Sequence, residues 1–283
     1  MAFDNVYEAI TEENDARWAY GTGFTAPLDG IDTTVPEGID HADLAAYCLM
    51  LGDDALIMSH RLQEWCTNAP ELEEEVALAN IALDLLGQAR LLLARCGDED
   101  ALAFGRTERE FRNVRLVEPA SRDFGYEMAR LLVFATWRLA VLDRLTASRD
   151  PVLAAIAAKG VKEVAYHRDH AAHWVLRLGD GTPLSHARMR DGLVAVWPLV
   201  GELFTPHEVE WRLAEAGVGV DPAGVRAEFD AVLDQVLTAA TLEVPEIPGV
   251  SGKTGRDGVH TEFLGHLLAE LQSVARALPG ATW

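Results

Sequence analysis

Four long segments with the apolar spacing of amphipathic helices constrain the fold of this chain more than any other feature. In the first segment, apolar side chains recur every three or four positions from Leu44 to Trp65, which is the period of one helix face. A four-residue break that ends at Pro70 predicts that the first two helices are antiparallel neighbours. The four predicted helices span residues 43–66, 71–96, 124–148 and 151–179.

The last third of the chain is also predicted to be helical. No part of the sequence shows the strict alternation that is typical of strands, so the predicted fold class is all-α. The lengths and order of the first four helices predict a ferritin-like four-helix bundle with additional C-terminal helices, in a single domain over residues 41–283. The additional segments are 185–204, bent at Pro198, 206–216, 222–241 and 261–278.

Residues 1–40 precede this domain and are predicted to form an extension or arm. A short helix is predicted over residues 6–19, and the stretch rich in Gly, Pro and Thr that follows it predicts a surface loop. Such an arm either wraps a partner subunit or is a free tail. At the other end, Trp283 is expected to pack against a partner or against the body of the protein.

The second predicted helix is the most apolar of the four. Residues 76–86 are apolar almost all round, and a helix of that kind is buried on most sides. Its acidic start and its basic end at Arg90 and Arg95 suit the helix dipole. We therefore expect a central helix, covered either by its own bundle or by another subunit.

Charge and composition disfavour several classes of partner. The 283-residue chain has a net charge of −21, which repels nucleic-acid backbones and anionic membrane surfaces. The acidic N-terminus contains no apolar run that indicates a signal peptide. We also find no uncharged apolar run of about 18 residues that predicts a membrane span. We expect a cytoplasmic protein with no nucleic-acid or membrane partner.

One arrangement in the fourth helix could hold a metal ion. Glu163, His167 and His170 lie within about 60° of one another around that helix, and Asp84 on the second helix belongs to a polar stripe. Ferritin-like di-metal bundles use a Glu-x-x-His pair on two helices and a Glu on each of the others. No glutamate in this chain has a histidine three positions later. We therefore expect no catalytic residue and no metal site here, with these four residues as the candidate ligands if a metal does bind.

Charged residues of both signs point toward the predicted core. In a di-metal bundle the metal ions balance the inward carboxylates, and here arginines are expected to do so, because buried charges must be paired. We predict that two arginines form ion pairs with four carboxylates, although some of these residues would lie at the bundle edge if the helices are rotated. The predicted core polar network consists of Asp54, Arg61, Asp84, Glu127, Arg138 and Glu163.

Four arginines at three-residue intervals follow the second helix. Their position in a long connection is interpreted either as a patch that faces the acidic edge of a neighbouring subunit or as a solvated loop. A local basic patch is also what a ligand's phosphate groups require, although 24 basic residues against 45 acidic ones disfavour a phosphate-binding module. These residues are Arg106, Arg109, Arg112 and Arg115.

Several long strings of the sequence resemble a known family. They are LGDDALIMSHRLQEW followed by APELEEEVALANIALDLLGQARLLL, then KEVAYHRDHAAHWVLRLGDGT, and the C-terminal HTEFLGHLLAELQSVARALPGATW. These strings resemble the ferritin-like subunits of the bacterial ring-1,2-phenylacetyl-CoA epoxidase, the phenylacetate-degradation monooxygenase, and among them its C subunit. The resemblance covers roughly residues 44–283, so the role of residues 1–40 is left open.

The resemblance implies a place in a multicomponent oxygenase. That complex epoxidises the ring of phenylacetyl-CoA with O₂ and NADPH, and its catalytic A subunit is a di-iron protein that binds the CoA thioester. The C subunit has the same fold, lacks the iron ligands and pairs with the A subunit as a structural support. A small B subunit bridges these pairs, and a reductase with FAD and an iron–sulfur cluster delivers electrons through transient contact. The resemblance implies no cofactor in this chain.

The expected function is therefore that of a non-catalytic structural subunit of the epoxidase in aerobic phenylacetate catabolism. The alternative is a di-metal oxidase subunit with a degenerate site of its own. A third class, a module that binds the acyl-CoA, is less favoured because of the charge balance. Metal analysis of the purified chain separates the first two.

Overall fold

The computed structural model describes residues 27–28, 30–120, 122–279 and 281, and every regular element within these ranges is helical. The predicted helix over residues 6–19 and the predicted packing of Trp283 lie outside the described residues. The α-helices are α1 (His41–Gln63), α2 (Leu72–Ala94), α3 (Glu99–Phe104), α4 (Phe124–Leu145), α5 (Pro151–Gly179), α6 (Pro183–Val196), α7 (Glu208–Glu215), α8 (Arg226–Ala239), α9 (Glu262–Leu271) and α10 (Ser273–Ala277).

Aspartate side chains begin several of these helices. The Asp40 carboxylate accepts a hydrogen bond from the backbone N–H of Ala42 at 2.7 Å, and Asp150 accepts one from Leu153 at 2.9 Å. These caps satisfy backbone donors that have no partner in the first turn. Helix α5 begins at the predicted residue because Asp150 caps it and Pro151, whose missing N–H costs nothing at that position, occupies its first turn.

Two antiparallel helix pairs form the bundle. Helix α1 packs along α2, α4 packs along α5, and the pairs meet where α2 contacts α5. Helices α6 and α8 pack against α4. A Cβ atom on Gly192 of α6 would lie 2.8 Å from the backbone nitrogen of Tyr126, so glycine allows α6 to approach α4 closely. The predicted all-α, ferritin-like four-helix bundle with additional C-terminal helices is confirmed.

The most central helix is α4 rather than α2. Residues 125–142 of α4 are all buried. Helix α2, in contrast, keeps large apolar side chains in solvent, among them Leu72, Val76 and Leu83. The helix was expected to be covered either by its own bundle or by another subunit. Its own bundle covers only one side of it.

Helix α2 also has the length and composition of a helix that could cross a membrane, which was not predicted from the sequence. Core helices of globular bundles pass the same test. In the most apolar window of α2, 44% of the residues are buried inside the bundle. The apolar composition of α2 thus reflects two faces, one packed against the bundle and one exposed.

The connections contain more helical structure than predicted. The short helix α3 lies in the segment that was expected to be a long loop after the second helix. The helix predicted over residues 185–204 with a bend at Pro198 is instead α6 followed by a 3-10 helix over Trp197–Phe204. Pro198 has no N–H to donate, so the α-helical pattern cannot continue through it.

The described part of the N-terminal extension lies on the bundle. Arg95, just after α2, donates a hydrogen bond to the carbonyl oxygen of Thr33 at 2.7 Å. Arg149, between α4 and α5, lies 3.4 Å from the carbonyl oxygen of Glu37. Ile31 packs partly buried against the core. This stretch is therefore attached to the ends of three bundle helices.

Candidate functional site

The side chain at the centre of the bundle is Arg138 of α4. Its Nε donates a hydrogen bond to Oε1 of Gln88 on α2 at 2.9 Å, and its Nη1 donates to the carbonyl oxygen of Leu51 on α1 at 3.2 Å. Only 1% of the residue is exposed. Burial lowers the pKa of Arg138 to about 10, although the carboxylate of Asp54 acts in the opposite direction. The group is therefore a cation at neutral pH, and a fixed positive charge lies where the helix pairs meet.

Gln88 links this cation to the fourth bundle helix. Its Nε2 donates to Oε2 of Glu163 on α5 at 2.9 Å, while its Oε1 accepts from Arg138. Lys159, one turn earlier in α5, lies 3.3 Å from the other carboxylate oxygen of Glu163. A neutral amide can join a guanidinium to a carboxylate because it carries both an acceptor and donors. The contacts therefore run from the bundle centre out to the exposed lysine.

The other candidate metal ligands form separate pairs between α2 and α5. Nε2 of His167 lies 3.0 Å from Asp84, and Nε2 of His170 lies 3.2 Å from Glu74. Burial lowers the pKa of both histidines, against the opposing effect of the two carboxylates, so both imidazoles are neutral at neutral pH. Across the described ranges, no group of three or more His, Cys, Asp or Glu residues is arranged to hold a metal ion.

These pairs lie along the line of contact between α2 and α5 and form a polar seam. At one end of the seam, the indole N–H of Trp174 donates to Glu74 at 2.7 Å. At the other end, Gln88 bonds with Glu163. Because the two helices are antiparallel, successive residues of α5 meet partners that are progressively farther back along α2. The α2–α5 seam consists of Glu74, Asp84, Gln88, Glu163, His167, His170 and Trp174.

The ion pairs of the predicted core network differ from those expected. Within the described chain, Arg61 and Arg138 form no ion pair with any of the four predicted carboxylates. Arg61 instead bonds with Glu64, one turn later, at 2.6 Å, and donates twice to the carbonyl oxygen of Glu118. Four members of the predicted network are buried, namely Asp54, Arg61, Glu127 and Arg138, whereas Asp84 and Glu163 are partly exposed.

The buried carboxylates of that network have other partners. Asp54 pairs with Arg256 at 2.8 Å, and Arg256 also donates to the carbonyl oxygen of Met50 at 3.0 Å. Glu127 pairs with Arg130, one turn later in α4. Helical periodicity shows that a charge points inward, but it does not show which distant segment covers it. Arg256 comes from a connection between α8 and α9, far from Asp54 in sequence.

Sequence reasoning missed further buried ion pairs on the side of α1 that faces the connecting segments. Asp53 is fully buried and pairs with Arg106, and the backbone N–H of Arg112 donates to it at 2.8 Å. Burial raises the pKa of Asp53, although the bonds from Arg106 lower it. Glu202 pairs with Arg115 at 2.6 Å. The available signal was the pair of adjacent aspartates in the middle of an otherwise apolar helix.

Glu118 is a further buried carboxylate, and it holds the segment before α9 against the connection after α3. Its carboxylate lies 2.6 Å from Nδ1 of His260 and accepts hydrogen bonds from the backbone N–H of Thr261 at 2.6 Å and from Asn113 at 2.9 Å. With the bonds from Arg61 to its carbonyl oxygen, Glu118 joins α1, the connection after α3 and the segment before α9. The buried ion-pair network therefore consists of Asp53, Asp54 and Glu202 with Arg106, Arg256 and Arg115, and Glu118 and His260 form a separate hydrogen-bonded pair.

This packing divides the run of four arginines. Arg106 and Arg115 are buried in ion pairs within the chain, so the prediction that the run faces a neighbouring subunit is wrong for these two. Arg109 is exposed, and Arg112 donates to the carbonyl oxygens of Arg109 and Phe111 at 2.7 Å each. The first and last arginines of the run therefore point inward, and Arg109 between them lies in solvent.

The fold and the polar core define a ferritin-like helical bundle with a guanidinium at its centre. The family described as "Phenylacetic acid catabolic protein" matches residues 32–283, and the chain belongs to this family. Over 246 residues it is 46% identical to the C subunit of the 1,2-phenylacetyl-CoA epoxidase of Escherichia coli (strain K12), and the match covers 85% of this chain and 99% of that protein. The resemblance inferred from the sequence strings is confirmed.

The polar core does not fit the di-metal centre that ferritin-like enzymes build. Such a centre requires carboxylates and imidazoles from four helices that converge on one point. Here Arg138 and the neutral amide of Gln88 lie at the meeting point of the helix pairs. Nη2 of Arg138 is buried and has no hydrogen-bond partner among the described residues. A metal cation beside it would meet a positive charge in a medium of low dielectric constant.

Proposed function

We propose that this chain is a non-catalytic structural subunit of a phenylacetyl-CoA epoxidase complex that acts in aerobic phenylacetate catabolism. The similarity to the C subunit of an epoxidase, along nearly that protein's whole length, supports the complex. The core chemistry supports the non-catalytic role. The observation that carries this proposal is the position of Arg138, bonded to Gln88 and to the carbonyl oxygen of Leu51 at the centre of the four helices.

The proposal includes specific partners. The chain pairs with the di-iron catalytic A subunit, and these pairs are joined by the small B subunit. A reductase that carries FAD and an iron–sulfur cluster contacts the complex transiently. The chain itself has no cofactor, and the complex works in the cytoplasm. The apolar surface that α2 exposes supports a permanent partner, because obligate interfaces are more apolar than the rest of a protein surface.

The two other functions considered are less well supported. An oxidase with its own degenerate metal site would need Asp84, Glu163, His167 and His170 to converge, and the α2–α5 seam instead distributes them among separate contacts. An acyl-CoA module would need accessible basic groups. Two of the four clustered arginines are buried against carboxylates of the chain, so they cannot bind phosphate groups.

Substitution in the seam tests the non-catalytic role. The epoxidase is reconstituted with its A and B subunits and reductase, and with either the natural chain or variants Glu163→Gln and His167→Asn. We expect the rate per assembled complex to stay within about twofold, because a residue that supplies acid–base catalysis contributes about 10²–10⁴-fold. A hundredfold slower reaction in a complex that still assembles would contradict the proposal.

A further inference from the structure

The side of α2 that faces away from the bundle carries an apolar stripe. Leu72, Val76 and Leu83 are 69%, 54% and 59% exposed. At 100° per residue they lie within about 40° of one another around the helix. An apolar stripe along a helix normally packs against another element. The described part of the chain leaves this stripe in solvent.

Tyr166 of α5 extends the stripe across the seam. It is 53% exposed and precedes His167, whose side chain contacts Asp84, the neighbour of Leu83. Leu83 and Tyr166 therefore flank the same contact between the two helices. We name this surface the α2–α5 face, and it consists of Leu72, Val76, Leu83 and Tyr166.

Two pairs of polar groups beneath the face already bond with each other within the chain. The imidazole of His167 lies 3.0 Å from Asp84, and the amide of Gln88 donates to Glu163. Covering a polar group is costly when it loses its hydrogen-bond partner to water. Because these groups bond with one another, another protein surface can lie over the seam without leaving them unpaired.

The two ends of the face differ in charge. Helix α2 begins with Glu73, Glu74 and Glu75, whereas Lys159 and Lys162 of α5 are exposed toward the opposite end. A partner with basic groups at one end and acidic groups at the other therefore fits in one orientation. A second copy of this chain is disfavoured, because each copy carries a net charge of −21 and the copies repel each other.

We propose that the α2–α5 face is the surface through which this chain binds a different helical subunit, less acidic than itself and carrying an apolar helix stripe. This inference rests on the proposed function, under which that subunit is the catalytic A subunit. The similar protein from Escherichia coli is by its name one subunit of an epoxidase, which supports the presence of such a partner. The face thus supplies the apolar centre of the interface, and the charged ends set its orientation.

Paired leucine substitutions test the face. Leu83→Arg places a charge within it, whereas Leu184→Arg changes a leucine of similar exposure, 63%, on α6. Each variant is co-expressed with a tagged cognate A subunit, and the dissociation constant is measured on the purified chains. We expect Leu83→Arg to weaken pairing by at least about tenfold, as truncation of central interface residues does, and Leu184→Arg to leave it within about twofold.

The outcomes separate this inference from the proposed function. If the natural chain does not pair with the A subunit, the proposed function fails. If the natural chain pairs and Leu83→Arg pairs equally well, the A subunit binds elsewhere and only the face is wrong. If the natural chain alone forms a dimer that Leu83→Arg dissociates, the occupant is a second copy and the inference is also wrong.

Hydrogen exchange on the natural chain gives a second readout that no folding defect can obscure. Backbone amides in peptides from α2 should exchange more slowly in the complex with the A subunit than in the chain alone, because the partner restricts local opening of this helix. Peptides from α6 should exchange at the same rate in both samples. Equal exchange of the α2 peptides in both samples would overturn the inference.

Discussion

Helices α1 and α2 pack against each other, yet the sides that face away from this contact differ. The chain covers that side of α1 and leaves that side of α2 exposed. The side of α1 that faces away from α2 carries Asp53 and Asp54, and the chain buries both beneath its own Arg106 and Arg256. The outer side of α2 carries leucine and valine, which the described chain leaves in solvent. On these two helix sides, charge is buried and apolar surface is exposed, the reverse of the usual arrangement.

This contrast indicates which surfaces are complete within the chain. A buried carboxylate without a cation is costly, so the arginines that pair with the carboxylates of α1 must come from the same chain whenever it folds. An exposed apolar stripe remains in solvent until a partner covers it. We therefore interpret the α1 side as internal structure and the α2 side as an interface.

The largest effect is expected from breaking a pair on the α1 side. Arg256→Ala leaves the buried Asp54 without its cation and should lower the free energy of unfolding by about 3–5 kcal/mol, measured by urea denaturation. The matched control is Arg190→Ala, whose ion pair with Asp191 is exposed. It should leave the transition unchanged. Equal transitions for both variants would show that the network on α1 adds nothing.

A smaller effect is expected at the bundle centre. Arg138→Met keeps much of the side-chain volume but leaves Oε1 of Gln88 without its donor, and an unsatisfied buried acceptor costs about 1–3 kcal/mol. The double variant Arg138→Met with Gln88→Leu removes both polar partners and should recover part of that loss. Urea denaturation of both variants measures the difference. A single variant as stable as the natural chain would show that the guanidinium does not hold the core together.

The smallest effect is expected in the α2–α5 seam and depends on pH. Burial lowers the pKa of His167, so this imidazole stays neutral in the folded chain at a pH where it takes up a proton in the unfolded chain. The resulting stability is complete above the unfolded pKa of about 6.5 and falls as the pH drops below it toward the folded pKa.

The measurement compares His167→Gln with the natural chain. Between about pH 7.5 and pH 5.5, the variant should lose less unfolding free energy than the natural chain, because it has one buried imidazole fewer. His173→Gln, at an exposed histidine of the same helix, is the control and should behave like the natural chain. A steeper loss in His167→Gln than in the natural chain would contradict the assignment of a buried neutral imidazole.

Much of the fold followed from helical periodicity. The apolar stripe of α1 from Leu44 to Leu62 is buried as predicted, and so is Trp65 just after the helix, because a 3.6-residue spacing places these side chains on one face. The start of α5 followed from local chemistry, since Asp150 and Pro151 act within a single turn. The helix α3 was missed because six residues carry too few turns to show a period.

The polar core was predicted less completely, for a different physical reason. Periodicity places Asp54 on an inward face, but its partner Arg256 lies 202 positions later in the chain. Likewise, Glu163 and His167 lie on the predicted face of α5, yet the register of α2 decides that they meet Gln88 and Asp84 separately. Contacts between distant segments depend on packing that no local pattern records.

The most direct test of the central claim is to locate iron in crystals of the assembled complex by anomalous scattering at the iron absorption edge. The account predicts iron only within the bundle of the catalytic partner, with the space around Arg138 free of metal. A pair of iron atoms between α1, α2, α4 and α5 of this chain would contradict it.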